Sequence, residues 1–223
     1  MRGFDIKQIR MRSFQISGLA AKWGIGDSRK PSIWDANLIG RWDARTFPDG
    51  ALATIPNTAT MEGKAPDLTV EGATMASGTL QFDGADDAAS TAAFLFPDRF
   101  TVFWDVDWLG SENKLAGITH LFNLYLYNNA ASRNITCYIK GTAGVGYIPN
   151  TSAGISTNGN VYAPDGSITP FGGTVGTGTG KHPLSIANRG KVFTQMGFRQ
   201  LLIFNKELSQ AEVNDVLRVM FPA

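Results

Sequence analysis

The sequence predicts an all-β protein, a sandwich or barrel of short strands. Short apolar runs alternate with turn signals such as Pro48-Asp49-Gly50 and Pro56-Asn57. The 25 glycines and 10 prolines among 223 residues favour many tight turns over long helices. The spacing between the apolar runs is typical of a two-sheet sandwich or a barrel, and a chain of this length can form it as one domain.

Eight segments in chain order are the candidate strands, because each combines β-branched or aromatic residues with flanking turn residues. They cover residues 68–74, 78–84, 100–109, 120–128, 134–141, 159–164, 182–188 and 198–205. Residues 141–180 are rich in Gly, Thr, Asn and Ser and are expected to form long hairpins and loops. Residues 1–34 lack a clean period, so we predict an N-terminal basic arm or linker over 1–34 and the sandwich domain over 35–223.

The chain closes with a strand and a short C-terminal helix. Residues 201–204 are apolar on both faces, which predicts a strand covered on both sides. Ser209 and Glu212 form the S-x-x-E pattern of a capping box at the helix start. The helix then carries one apolar stripe, formed by Val213, Val216, Leu217 and Met220.

The charge is unevenly distributed along the chain. The net charge of +1 gives no argument for a nucleic-acid partner, but residues 1–30 carry +5 and the remainder carries −4. We expect this basic arm to attach the domain to other proteins or to identical subunits. The candidate attachment residues are Arg2, Lys7, Arg10 and Arg12. The alternative is a solvated terminus that merely contains these charges.

The sequence shows no disulfide pair, no secretory signal and no membrane-spanning segment. Cys137 is the only cysteine, so no internal disulfide forms, and alternation places it beside Ile135 and Ile139 as a buried thiol. The first residues lack the continuous apolar segment of a secretory signal, and no run reaches membrane-spanning length. We therefore expect no membrane partner and no export by the usual route.

Several segments resemble one known family in their order and spacing. The chain contains GTLQFDGADDAAST followed by FTVFWDVDWL, which is similar to the opening strands of the laminin-G-like branch of the concanavalin A-like lectin/glucanase superfamily. Its end, FRQLLIFNKELSQAEVNDVLRV, resembles the closing strand and helix of that family. The segments HPLSIANRGKVFTQMGF and LIGRWDARTFPDGALATIPNTA fit the strand before the close and the first strand. The resemblance covers residues 38–221 and leaves only the arm outside.

This resemblance implies two antiparallel sheets packed as a jelly-roll sandwich, with a concave face that binds glycans in many relatives. Hydrolases that resemble the fold place glutamates on one strand as E-x-D-x-x-E, because two carboxyl groups must flank the glycosidic bond. Here the only glutamates close in sequence are Glu207 and Glu212, at the terminal turn and cap. We therefore expect no catalytic residues and no enzyme.

Two acidic groups suggest other chemistry. Asp105 and Asp107 share one face of their predicted strand and can act as acid and base, hold a cation or simply face solvent. Asp83, Asp86 and Asp87 offer oxygen ligands for Ca²⁺, although a turn whose carboxylates cap backbone N–H groups is the preferred interpretation. We expect no cofactor and no metal site.

A glycan site is predicted from tyrosine, asparagine and aspartate on exposed strand faces. Tyrosine rings stack on sugar C–H faces, while Asp and Asn hydrogen-bond to hydroxyl groups. The candidate glycan-binding residues are Asp105, Asp107, Asn123, Tyr125, Tyr127 and Tyr138. They share one concave surface if their strands are neighbours; the alternative is that another subunit or the arm covers that face.

The expected function is a non-catalytic structural or capsid-decoration protein of a bacteriophage virion, or one associated with its fibre. Its lectin-like sandwich would contact cell-surface or mucosal glycans, and its arm would join other virion proteins or identical subunits into an oligomer. A lectin-type domain without an export signal needs another way out of the cell, and lysis provides one. It would then reside in the host cytoplasm before lysis and in the virion afterwards. The alternatives are a stand-alone carbohydrate-binding or adhesin module at the cell surface, and a glycan hydrolase or lyase.

Overall fold

A computed structural model describes residues 32–109, 116–121, 123–129, 134–140, 145–176 and 180–222. In these ranges the chain forms twenty-one short strands, two α-helices and one turn of 3₁₀ helix. The predicted fold class is confirmed: two antiparallel sheets form a β-sandwich, and a short helix closes the chain. Among the described residues no helix is both long enough and apolar enough to cross a membrane.

The elements are short, as the density of turn residues predicts. The helices are α1 (Ile33–Ala36), the 3₁₀ turn (Ala44–Thr46) and α2 (Gln210–Met220). The strands are β1 Leu38–Asp43, β2 Gly50–Ala51, β3 Thr54–Ile55, β4 Leu68–Glu71, β5 Thr74–Ala76, β6 Thr79–Asp83, β7 Ala88–Thr91, β8 Phe94–Leu95, β9 Thr101–Trp108, β10 Ile118–His120, β11 Leu124–Asn129, β12 Asn134–Ile139, β13 Val145–Pro149, β14 Gly154–Ser156, β15 Asn160–Tyr162, β16 Ile168–Pro170, β17 Lys181–His182, β18 Leu184–Ile186, β19 Asn188–Arg189, β20 Val192–Phe193 and β21 Gln195–Phe204.

The nine-stranded sheet is organised around β21, the longest strand. Its order is β16-β15-β14-β9-β21-β6-β5-β2, and β1 also pairs with β21. One edge of β21 pairs with β9 from Met196 to Phe204. The other edge pairs first with β6 and then with β1, so β21 has neighbours on both sides along most of its length.

The eight-stranded sheet has the order β13-β12-β11-β10-β18-β7-β4-β3. The chain crosses repeatedly between the two sheets, for example from β6 to β7, from β9 to β10, from β13 to β14 and from β18 to β21. Repeated crossings of this kind build a sandwich of the jelly-roll type, in which consecutive strands belong to opposite sheets. Two short ribbons, β8 with β17 and β19 with β20, lie outside the two sheets.

The main core lies between the two sheets and is filled by alternate residues of their strands. Val102 and Trp104 of β9 and Leu124 and Leu126 of β11 all belong to this core. Cys137 of β12 belongs to it as well and is fully buried, as the alternation predicts. Because burial disfavours the thiolate, the pKa of the Cys137 thiol is raised well above its ordinary value.

A second core lies on the other face of β21, beneath α2. Leu202 and Phe204 point into it, while Leu201 and Ile203 point into the main core, so the strand is covered on both sides as predicted. The predicted stripe of α2 is buried there: Val213, Val216, Leu217 and Met220. The expected domain boundary at residues 34 and 35 falls within α1.

The predicted capping box is present at the start of α2. The Ser209 hydroxyl accepts a hydrogen bond from the Glu212 N–H, and the Glu212 carboxylate accepts one from the Ser209 N–H at 2.8 Å. Lys206 also donates to the Glu212 carboxylate at 2.9 Å. Partial burial acts to raise the pKa of Glu212, but these hydrogen bonds and the charge of Lys206 hold it below its ordinary value.

The prediction of a single strand over residues 120–128 is wrong. Strand β10 ends at His120 and β11 begins at Leu124, and the two strands pair antiparallel as a hairpin. Asn123 lies in the connecting turn, where its N–H donates to the carbonyl of His120 at 3.1 Å and its carbonyl accepts from the N–H of Lys140 at 2.9 Å. An apolar run that continues through a turn gives no periodic signal of where one strand ends.

Candidate functional site

Three tyrosines form a contiguous aromatic surface on the outer face of the eight-stranded sheet, named here the tyrosine face (Tyr125, Tyr127 and Tyr138). Tyr125 and Tyr127 are two residues apart on β11, so they lie on the same side, and Tyr138 of β12 is directly opposite Tyr125. The ring centroid of Tyr125 lies 5.2 Å from that of Tyr127 and 5.3 Å from that of Tyr138. All three side chains are half-buried, so part of each ring is open to solvent.

Arg189 lies over the tyrosine face. Its guanidinium carbon is 4.5 Å from the centroid of the Tyr125 ring, and its Nη1 donates to the Tyr125 hydroxyl at 2.7 Å. Burial raises the pKa of Tyr125 to about 12; the nearby tyrosines add to the increase and Arg189 opposes it. Tyr125 therefore stays a neutral hydroxyl at ordinary pH. No sequence pattern predicts Arg189 as a site residue, because its contact with Tyr125 joins residues 64 positions apart.

Hydroxyl side chains extend the tyrosine face across the sheet. The strand register places Tyr138, Tyr125, Thr119, Ser185, Ser90, Thr69 and Thr54 in one row on the same face. On the other side of the tyrosine face, Tyr147 of β13 lies opposite Thr136 and is 55% exposed. Apart from Tyr125 and Tyr138, none of these residues is marked by a local sequence pattern, because only the pairing of distant strands brings them together.

The six predicted glycan-binding residues do not share one surface. Asp105 and Asp107 are on β9 in the nine-stranded sheet, whereas Tyr125, Tyr127 and Tyr138 are on the eight-stranded sheet. The two groups point away from the main core on opposite sides of the sandwich. The condition that their strands be neighbours is therefore not met.

Asn123 is also placed differently from the prediction, which had it facing outward. It is 1% exposed in the turn between β10 and β11. A buried side chain in that position is not available to a sugar at the surface.

Asp105 and Asp107 both form ion pairs with Arg199. The Arg199 Nε lies 2.7 Å from an Asp105 oxygen, and its two Nη atoms lie 2.6 and 3.0 Å from the Asp107 oxygens. Arg199 occupies a bulge in β21 opposite these residues, between Phe198 and Gln200. The hydrogen bonds that Arg199 donates to the carboxylates of Asp107 and Asp105 raise its pKa, although its partial burial opposes this. The two predicted carboxylates thus serve as acceptors for an internal arginine.

The acidic cluster at the end of β6 forms the predicted turn. Asp83 accepts a hydrogen bond from the Ala85 N–H at 2.7 Å, and Asp87 accepts one from the Asp83 N–H at 2.9 Å. Oxygen atoms of Asp83, Asp86 and Asp87 lie within 4.8 Å of one another, which is close enough for them to hold a cation such as Ca²⁺. The hydrogen bonds account for the turn without a cation.

The two histidines are neighbours in the fold, although no spacing in the sequence predicts it. The ring centroids of His120 and His182 are 5.9 Å apart, and Phe94 and Phe96 pack on His120.

The candidate arm residues Arg2, Lys7, Arg10 and Arg12 lie outside the described residues.

Comparison with known proteins finds similarity in structure and none in sequence family. The chain matches no protein-family model and no curated protein. Its structure is similar to Trypanosoma rangeli sialidase in complex with sialic acid, with a TM-score of 0.55 and 12% identity over 86% of this chain and 34% of the sialidase. A covalent-intermediate complex of the same organism's sialidase with 2,3-difluorosialic acid gives a TM-score of 0.57 and 14% identity, with the same coverage.

The binding domain of botulinum neurotoxin serotype D is also similar, with a TM-score of 0.55 and 11% identity over 84% of this chain and 53% of that domain. The chain spans about a third of the sialidase and about half of the toxin domain. At these identities the likeness shows a shared fold. It supports an all-β sandwich and does not single out the laminin-G-like family or a bacteriophage protein.

The expectation that this chain is not an enzyme is contradicted by the sialidases among its structural neighbours. The expectation rested on the lack of two glutamates placed to flank a glycosidic bond. That criterion is too narrow, because sialidases are an exception to the paired-carboxylate rule and use a tyrosine nucleophile. The absence of the E-x-D-x-x-E pattern therefore does not decide whether a protein with this fold acts on glycans.

Proposed function

We propose that this chain is a glycan-binding β-sandwich protein whose sugar site is the tyrosine face. The observation that carries the proposal is the group of half-exposed rings of Tyr125, Tyr127 and Tyr138, in mutual contact on two adjacent strands, with Arg189 above them. Rings held by a sheet lose little conformational freedom when a ligand arrives, so they form a pre-organised surface.

The chemistry of the tyrosine face suits a sugar. The apolar C–H faces of a pyranose pack on tyrosine rings, and the phenol hydroxyls exchange hydrogen bonds with sugar hydroxyls. Thr119, next in the row, is buried, but beyond it Ser185 and Ser90 offer further small hydroxyl groups to an extended chain of sugars. The sialidase neighbour determined with sialic acid supports the proposal, because it is a glycan-active protein that shares the fold.

The proposed site retains three of the six residues predicted from the sequence. Asp105 and Asp107 are left out because Arg199 already occupies their carboxylates on the opposite side of the sandwich. Asn123 is left out because it is buried.

A glycan array tests the proposal, followed by titration calorimetry with the best glycan. Tyr127→Leu removes the aromatic ring and should weaken binding by about two- to tenfold, since a ring contact contributes about 0.5–1.5 kcal/mol. Tyr127→Phe keeps the ring and should retain most of the affinity. Val219→Ala, at an exposed position on α2, is the matched control and should bind like the wild type. Equal affinity of Tyr127→Leu and the wild type would contradict the proposal.

We further propose, on the sequence alone, that the sandwich serves as a structural or decoration protein of a virion. The basic arm would attach it to other virion proteins or to identical subunits through Arg2, Lys7, Arg10 and Arg12. The stand-alone carbohydrate-binding or adhesin module is the second candidate.

Size-exclusion chromatography with light scattering separates these two candidates. The full chain is compared with a chain that starts at Ser32. An assembly that falls to monomer without the arm supports attachment through it. A full-length monomer that the deletion leaves unchanged favours the stand-alone module.

A further inference from the structure

We propose that the sugar bound on the tyrosine face carries a carboxylate and that Arg189 is the residue that binds it. This inference rests on the proposed function, because it names the class of glycan for the same site. It depends on three observations: how Arg189 is held, which of its donors are occupied, and which charges surround it.

Arg189 is held in place by a tight hairpin. Strands β19 and β20 are joined by a two-residue turn in which Gly190, with a φ of 67°, occupies the first central position. A residue with a side chain adopts this backbone conformation only with strain. Thr194, just after β20, fixes the base of the hairpin: its N–H donates to the Ala187 carbonyl at 2.9 Å and its hydroxyl to the Ala116 carbonyl at 2.6 Å.

Tyr125 orients the guanidinium of Arg189 but accepts only one of the hydrogen bonds that it can donate. Nη1 donates to the Tyr125 hydroxyl, and the guanidinium carbon lies 4.5 Å from the centroid of the ring. This contact uses one of the five N–H donors of the side chain. The edge formed by Nε and Nη2 carries two parallel donors, the geometry that binds both oxygens of a carboxylate.

Arg189, like Arg41 and Arg99, has no acidic partner among the described residues, but it is the one of these three whose guanidinium donates a hydrogen bond to the aromatic side chain beneath it. Arg45, Arg199 and Arg218 each form an ion pair with an aspartate. In the ranges that the structure describes, no aspartate or glutamate forms an ion pair with Arg189. Lys191, on the same turn and exposed, adds a second positive charge. An exposed cation fixed on an aromatic surface without an acidic partner favours an anionic ligand.

A sugar acid matches both parts of this site. The ring centroids of Tyr127 and Tyr138 lie 5.2 and 5.3 Å from that of Tyr125. The sugar ring can therefore pack on the exposed parts of Tyr127 and Tyr138 while its carboxylate reaches the guanidinium above Tyr125. A neutral sugar would gain the aromatic contact alone. The carboxylate is thus expected to set specificity, whereas the tyrosines supply contact area for glycans in general.

The test is an array of matched glycan pairs that differ only in a terminal acidic sugar, with sulfated counterparts included, probed with the full chain. The wild type should prefer the carboxylated member of each pair by about tenfold or more, since a hydrogen bond to a charged group contributes about that much. Arg189→Gln should lose this preference, and raised salt should weaken it in the wild type. Arg218→Gln removes the same charge from an exposed position on α2, on the other side of the sandwich, and is the control; it should keep the preference.

Other outcomes overturn the inference in distinguishable ways. Equal binding of acidic and neutral members, with Tyr127→Leu still weakened, overturns the carboxylate assignment and leaves the proposed function standing. A preference for sulfated over carboxylated members also overturns it. If no glycan binds, the proposed function fails as well.

Discussion

At the scale of single residues, His120 shows how burial sets the chemistry of a side chain. It is fully buried, with the rings of Phe94, Phe96 and His182 packed against it. Its Nε2 lies 3.1 Å from the Phe94 carbonyl oxygen, which assigns the proton of the neutral ring to that nitrogen. Burial lowers the pKa of His120, and the charge of His182 lowers it further, whereas the hydrogen bond to Phe94 opposes the shift.

This lowered pKa predicts a loss of stability in mild acid. Below the ordinary histidine pKa of 6.5, the unfolded chain binds a proton at this residue while the folded protein does not. The free energy of unfolding should therefore fall as the pH drops through 6.5 and continue to fall until the lower folded pKa is reached. Urea titrations between pH 7.5 and 5 measure the effect. His120→Gln should show a shallower dependence over this range, and parallel curves for the two proteins would contradict the account.

At the scale of elements, α2 closes the sandwich and covers one face of β21. Its capping box satisfies backbone N–H groups that would otherwise lack partners at the helix start. We expect Ser209→Ala to lower the free energy of unfolding by about 1 kcal/mol, the usual cost of removing such a cap. Ser209→Asp keeps an acceptor at the cap and is the control. Chemical denaturation of both variants checks this, and a loss of equal size in Ser209→Asp would mean that the cap is not the cause.

Alternation in the sequence predicted which way most side chains point in a strand, and the structure agrees for β9 and β12. Val102 and Trp104 face the core while Asp105 and Asp107 face away, as expected. Alternation cannot tell which sheet a strand joins, because that depends on pairing between residues far apart in sequence. For this reason the predicted glycan site combined Asp105 and Asp107 with the tyrosines, whereas the structure places the two groups on different sheets.

The closing strand and helix were predictable in detail because their signals are local. The capping box, the apolar stripe of α2 and the two apolar faces of β21 each depend on residues a few positions apart. Arg189 and the row of hydroxyls depend on cross-strand register instead. Their relation to Tyr125 is set by β18 and the β19–β20 hairpin, which the sequence does not connect to β11 by any short-range pattern.

At the scale of the whole molecule, the two sheets present different outer surfaces. The nine-stranded sheet uses part of its outer face to pack α2 through Leu202 and Phe204, and another part for the Arg199 ion pairs. The eight-stranded sheet carries the tyrosine face and the hydroxyl row, in which Ser90 and Thr69 are exposed. A division between a face used for internal packing and a polar, aromatic face suits a binding module.

The measurement that tests this account most directly is an NMR titration of the isotope-labelled full chain with the best glycan from the array. Backbone amide shifts report which surface the sugar contacts. The account predicts the largest shifts in β11, in β12 and around Gly190 in the β19–β20 turn. Shifts confined to β9 and β21 around Arg199 would place the sugar on the opposite sheet and contradict the account.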